Sequence, residues 1–183
     1  SLLPSRWSLD SYVAVFQKIP IVRAFVNSLF VSGSVVLSVL ILGSMTGFAL
    51  ARMHFRGRGL IFSLVLLTMI LPFQLTLIPL YILMVKFGWV DSPLALIVPY
   101  ALNAMSVLMF RQAFKTIPQD VIDAARIDGA NDFGILFRVF WPLSVPTLIT
   151  VGILTFMGIW NETLWPILTI RRSELVVSPQ LVT

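Results

Sequence analysis

Asp123 to Pro146 reads DAARIDGANDFGILFRVFWPLSVP. Just before it and within it lie Asp120, Asp123, Asp128 and Asp132, four of the eight acids in a chain of 183 residues that is 58% hydrophobic and 11% charged. The stretch is polar in its first half and apolar in its second. It therefore reads as a boundary, where an oily chain leaves one medium for another.

The medium on the apolar side is identified by the rest of the chain. A mean hydropathy of +0.95 and 14 Phe lie outside soluble usage and point to membrane insertion. Crossing the hydrocarbon takes roughly 20 apolar residues as a helix. Runs free of Asp, Glu, Lys, Arg and His extend from Ala24 to Ala51, Gly59 to Val85, Ser92 to Phe110 and Val139 to Asn161. Four spans are predicted, at about 24–51, 59–78, 92–110 and 139–161, forming one all-α polytopic domain over the whole chain.

Each span carries a local signal. The first holds Gly43-x-x-x-Gly47 among many serines, a surface on which another helix can approach closely. The second contains Pro72, Gln74 and Pro79, so a straight helix there is improbable. It should end or kink near Pro72 to Pro79 and continue as a short amphipathic interfacial helix. The third contains Asn103, whose amide needs a partner or a wet cavity. In the fourth, Trp160 and Trp165 bracket Asn161 and Glu162. Glu162 follows Pro146 by 16 residues, about 24 Å of helix, close to the opposite headgroup layer. Gln74, Asn103, Asn161 and Glu162 are the candidates for a solute route; helix-to-helix hydrogen bonds, or for Glu162 plain exposure, would explain each one equally simply.

The net charge is +5 and the pI about 10.2, but the basic residues flank apolar runs, where they meet phospholipid headgroups rather than nucleic acid. The acid-free loop RMHFRGRG, with Arg52, Arg56 and Arg58, assigns its side to the cytoplasm. By alternation, the segment of about 116–138 shares that side. Within it, Thr116-Ile117-Pro118-Gln119 has the form of a capping box. A helix should start there, run through QDVIDAARID and stop at Gly129 in a left-handed conformation. An Asp123–Arg126 pair would contribute only about 0.2 to 0.5 kcal/mol. A second short helix, capped by Asn131 or Asp132, leads to Pro142, Pro146 and the fourth span.

A helix, a glycine turn and a second helix on the cytoplasmic face form a knob suited to a partner's cleft. The stretch resembles the EAA loop of ABC importer permeases through Asp123-Ala124-Ala125, Asp128-Gly129-Ala130 and Pro142-Leu143-x-x-Pro146. It departs from the pattern in having Asp123 where the family has Glu. The phrases NSLFVS, LPFQLTLIPLYILMVKFGWVDS, FRQAFKTIPQDVIDAARIDGA and WNETLWPIL extend the likeness to the maltose-type carbohydrate permeases. The resemblance implies a polytopic helical bundle of the ABC importer permease type. Relative to the usual six spans, the first and last are lacking here, and SLLPSRWSLDSYVAVF is similar to the external link after the first. It further implies a bacterial cytoplasmic membrane location, a second permease subunit, two cytoplasmic ATPase subunits and an external substrate-binding protein. Asp123, Ala124, Ala125, Asp128, Gly129 and Ala130 would contact the ATPase, supported by Thr116, Pro118, Pro142 and Pro146.

Other classes find little support. With no Cys and only His54, zinc chemistry and Cys/His nucleophile pairs have no ligand or base set, and no cofactor is implied. The chain has no G-x-x-x-x-G-K-[ST] loop, so ATP hydrolysis is expected on a separate subunit. The alternative is an autonomous ion-coupled secondary transporter. It would need acidic, basic or His residues midway along the spans, and the four runs contain none.

Overall fold

The structure is a computed structural model that describes residues 21–172 and 175–177. The expected external link, within residues 1–20, and most of the tail beyond Arg172 lie outside the described residues. All regular structure among the described residues is helical. Helix α1, Ile21–Arg52, is 32 residues long and is the one described helix that is individually long and apolar enough to cross a membrane. Three further pairs reach that length only if each bent pair is one span. They are α2 (Arg58–Thr68) with α3 (Phe73–Lys86), α4 (Pro93–Tyr100) with α5 (Ala104–Thr116), and α7 (Asp132–Leu143) with α8 (Val145–Trp160), bent by 101°, 43° and 86°. Helix α6 is Gln119–Ile127 and α9 is Leu164–Thr169.

The bends follow from local chemistry, and each falls inside one of the predicted spans. The segment 59–78 breaks near Pro72, where its prolines predicted an end or kink. Pro72 is extended, with φ −66° and ψ 137°, so the chain breaks between Thr68 and Phe73, while Pro79 lies inside α3. Helix α3 is not amphipathic. Leu75 and Ile78 are well exposed, and of its 14 residues only Met84 is buried. The segment 92–110 is interrupted at Asn103, which leaves helical geometry to cap α5. The segment 139–161 is divided at Ser144, and residues 139–143 belong to α7. Pro142 would clash with the carbonyl four residues before it in a regular helix, and the π turn Leu136–Phe140 widens α7 immediately ahead of it. Pro146 stands in the first turn of α8, where a missing N–H does no harm.

The bundle is assembled on α1. A Cβ on Gly43 would stand 2.8 Å from the Ser106 Oγ of α5, and one on Gly47 would stand 2.6 Å from the Phe110 Cβ and 3.0 Å from the Arg111 amide nitrogen. The GxxxG pair thus lets the α1 backbone lie directly on α5. Beside it, Phe48 and Phe114 each meet Phe140 with ring centroids 5.1 Å apart, edge to face. Phe110 stacks on Phe114 at 5.6 Å. This aromatic core joins α1, α5 and α7, and Ile117 and Ile122 continue it toward α6.

A second core at the other end gathers Val31, Met84, Ala95, Leu96 and Ile170 around the fully buried Trp165. The Trp165 Nε1–H donates to the Ala95 carbonyl at 2.7 Å, so the indole closes that core without an unpaired polar atom. Outside both cores, α2 buries no residue at all, as suits a surface facing lipid or another helix rather than water.

Candidate functional site

The knob begins where α5 ends. Thr116 is the last residue of α5, and its Oγ1–H donates to the Ala113 carbonyl at 2.8 Å. The predicted capping box therefore does not form. Ile117 and Pro118 are extended, and α6 starts at Gln119 because the proline ring disfavours helical geometry in the residue before it. The side chain of Gln119 turns along its own helix instead of back to Thr116, and its Nε2 donates to the Asp123 Oδ1 at 3.0 Å. Gly129, at φ +83°, ends α6 in the left-handed region. The Asn131 Oδ1 accepts from the Gly134 amide at 2.8 Å, so Asn131 is the cap. Arg126 pairs with Asp132 at 3.3 Å and not with Asp123, because the turn at Gly129 folds Asp132 back over α6.

One face of α6 is anchored and the other is open. Ile122 is buried, and Val121, Ala125 and Ala130 pack against the same core. Asp120, Asp123, Ala124, Asp128 and Gly129 are exposed. Between the acids stands Ile127, 86% exposed, and past the turn Phe133 is 61% exposed. Neither of these two apolar residues was singled out by the sequence motif. Their exposure depends on where the turn aims them.

Under the knob, arginines satisfy helix ends. The last four carbonyls of a helix have no partner in that helix. At the end of α5, Thr116 takes the Ala113 carbonyl, and Arg52 of α1 takes Phe114 through Nε at 3.0 Å and Nη2 at 2.7 Å. Arg52 also reaches the carbonyls of Lys115 and Ile117 and the Gln119 Oε1 at 3.4 Å. In return, the Arg111 Nε donates to the Leu50 carbonyl at 3.3 Å. Arg58 donates to Met53 at 3.1 Å and Ala51 at 3.3 Å. Two of the three arginines that signalled a side of the membrane in sequence, Arg52 and Arg58, are in three dimensions caps on the ends of α5 and α1.

The four polar residues proposed for a solute route do not come together. Gln74 is exposed on α3. The exposed Asn161 donates its Nδ2 to the Met157 carbonyl at 2.7 Å, one turn back. Asn103 and Glu162 both line a groove of about 360 Å³ between α4, α5 and α8. The Asn103 Oδ1 accepts from the Ser106 amide at 2.8 Å, and the Glu162 Oε1 accepts from the Trp165 amide at 3.1 Å, so each also caps a helix. Glu162 is half-buried rather than fully exposed.

Tyr100 and Thr155 share the groove, and the buried Tyr100 Oη has no protein partner among the described residues. A separate cavity of about 20 Å³, room for a single water, also touches Tyr100 and Glu162. No motif marked Tyr100 in the sequence. Its significance lies in an unmet hydrogen bond.

Comparison with known proteins gives consistent neighbours. Residues 39–180 match the family described as binding-protein-dependent transport system inner membrane component. The arabinooligosaccharides transport system permease protein AraQ of Halalkalibacterium halodurans is 36% identical over 177 residues, covering 96% of this chain and 63% of the relative. The diacetylchitobiose uptake system permease protein NgcG of Streptomyces coelicolor is 35% identical over 90% of this chain and 55% of its own length. The present chain thus spans about 63% of the length of the first of these relatives. Among solved structures, a chain from the crystal structure of a bacterial ABC transporter involved in the import of the acidic polysaccharide alginate superposes with a TM-score of 0.88. It is 29% identical, over 99% of this chain and 63% of that one.

Proposed function

From the premise that this chain belongs to the family of binding-protein-dependent transport system inner membrane components, we propose that it serves as a permease subunit of an ATP-driven importer. Its place is the bacterial cytoplasmic membrane. It works there with a second permease, two cytoplasmic ATPase subunits and an external substrate-binding protein, and it carries no hydrolytic chemistry of its own.

The observation that carries this reading is the knob. Helix α6 is anchored on one face by Ile122 and presents Asp123, Ala124 and the 86% exposed Ile127 on the other. An apolar side chain in an acidic surround, held on a rigid turn, is the geometry of an anchor for a pocket on a soluble partner. Asp128, Gly129 and Ala130 shape that turn. Pro118 sets the start of α6, and Pro142 and Pro146 set the angle at which α7 enters α8. Closure of the ATPase pair would push on α6 and rock the helices between outward and inward openings.

The solute is proposed to be an oligosaccharide, of the kind handled by the maltose-type branch. The named cargoes of the relatives support this class, as do Asn103, Glu162 and Tyr100 in one groove, a mixture of hydroxyl, amide and carboxylate suited to sugar hydroxyls. The test is transport by the full-length chain in vesicles. Uptake should require both the ATPase subunits and ATP, and Ile127→Asp should abolish co-purification of the ATPase. Uptake driven by an ion gradient without those subunits would establish the secondary-transporter alternative.

A further inference from the structure

We infer that Arg52 is the positioning residue that makes α1 move with α6, an inference that rests on the coupling role proposed for the knob. Its contacts span three elements. From the end of α1 it holds the carbonyls of Phe114 and Lys115 at the end of α5, the Ile117 carbonyl in the linker, and the side chain of Gln119 in the first turn of α6. Gln119 in turn holds Asp123 on the open face of the knob. The Arg52 guanidinium also stands 5.8 Å from the Phe140 ring centre in α7.

The physical reason is directional. The apolar attachment of α6 through Ile122 resists separation but has no preferred direction, so it permits sliding. A planar guanidinium bonded to several fixed acceptors resists sliding, because each displacement breaks bonds that point different ways. The carbonyls it holds have no intrahelical partner, so breaking the contact leaves α5 uncapped. Helix α1 is 32 residues long, about 48 Å, so a tilt imposed at Arg52 reaches the opposite side of the membrane. Lysine cannot replace this function in full. Its ammonium is a compact point charge whose three donors lack the rigid spread of the guanidinium fork, so it would keep some of the carbonyls and release Gln119.

The test uses the full-length chain in complex with its second permease and ATPase subunits. These 183 residues contain no Cys, so spin labels can be placed at Leu37→Cys on α1 and Asp120→Cys on α6, both exposed positions. With Arg52 present, the label distance should be the same in nucleotide-free and ATP-trapped complexes. In Arg52→Gln, ATPase subunits should still co-purify, but the distance should shift or broaden on trapping, and solute moved per ATP should fall about tenfold.

Arg52→Lys should lie between the two and keeps the test decisive should Arg52→Gln fail to assemble, and a distance that changes only on ATP trapping is the readout that a purely structural role would not produce. Unchanged distances and unchanged transport per ATP in both variants would overturn the inference, as would a distance that already changes in the unsubstituted complex. If the unsubstituted chain binds no ATPase subunit, the coupling role itself fails and the inference fails with it.

Discussion

Gly47 in α1 lies against Phe110 in α5 with so little room that a Cβ on the glycine would stand 2.6 Å from the Phe110 Cβ. Gly47→Ala should therefore push α1 off α5, at about 1 to 3 kcal/mol, and lower the Tm of the detergent-solubilised complex. Gly33→Ala is the control, because nothing stands within 4 Å of its added methyl. Equal Tm values for the two variants would show that the α1–α5 contact does not depend on glycine.

Gly129 presents the opposite case. Its surroundings are empty to 4 Å, but its φ is +83°, so a side chain there is opposed by backbone conformation alone. The left-handed region costs a non-glycine residue about 1 to 2 kcal/mol, and Asn less. Stability and ATPase binding should fall in the order Gly, Asn, Ala, Val. A ranking by size, with Asn as poor as Val, would point to a steric contact instead.

Asp91 predicts a dependence on acid. Its Oδ1 accepts the amides of Arg171 at 2.5 Å and Arg172 at 3.1 Å, and its own amide donates to the Thr169 carbonyl at 2.9 Å. The loop before α4 is thereby tied to the end of α9. The hydrogen bond from Arg171, aided by Arg172 and opposed by desolvation, holds the carboxyl below its ordinary value. The unfolded chain then takes up its proton first as pH falls. The tie contributes fully above about pH 4, the ordinary Asp value, and is lost as pH drops through the lowered folded value. The protection factors of the Arg171 and Arg172 amides against hydrogen exchange, which divide out the slowing of intrinsic exchange by acid, should fall in that range. Asp91→Asn, which keeps the tolerance for the observed φ of 58°, should show lower protection factors already at pH 6 and little further change in them on acidification.

Tyr100 separates stability from transport. A buried hydroxyl without a partner costs about 1 to 3 kcal/mol, so Tyr100→Phe should leave the Tm unchanged or raise it. If the hydroxyl serves the solute, the KM for uptake should rise severalfold in the same variant. A fall in Tm with normal uptake would mean that the hydroxyl has a structural partner.

Glu162→Gln keeps an oxygen for the Trp165 amide while removing the charge. The Tm should change little, because the cap on α9 survives, and the KM for uptake should rise. Glu162→Ala should lose both, with a cost of about 0.5 to 2 kcal/mol for the missing cap. Identical KM values for the Gln and Ala variants and the unsubstituted chain would remove Glu162 from the solute route.

Much of the knob was legible in sequence because its determinants are local. Gly129 needs only its own backbone preference to end α6, and Asn131 needs only the next turn to act as a cap. The capping box at Thr116 failed for an equally local reason. Ala113 offers the hydroxyl a nearer acceptor, and Gln119 finds Asp123 along its own helix. The contacts of Arg52 were not legible because its partners at Phe114 and Gln119 are 62 and 67 residues away, and no periodicity records who receives a guanidinium.

The sequence by itself determined that the chain is helical and apolar, where its uncharged runs lie, and where a polar knob interrupts them, since hydrophobic transfer and turn preferences act residue by residue. The prolines of the second run announced its break, and only the tertiary structure decided that the third and fourth runs also become bent pairs. It also decided that Gly43 and Gly47 meet α5, that Asn103 and Glu162 share a groove from which Gln74 and Asn161 are absent, and that Arg52 holds the knob. Those outcomes depend on which surfaces face each other. Packing between distant segments sets that arrangement, as each helix end seeks partners outside itself.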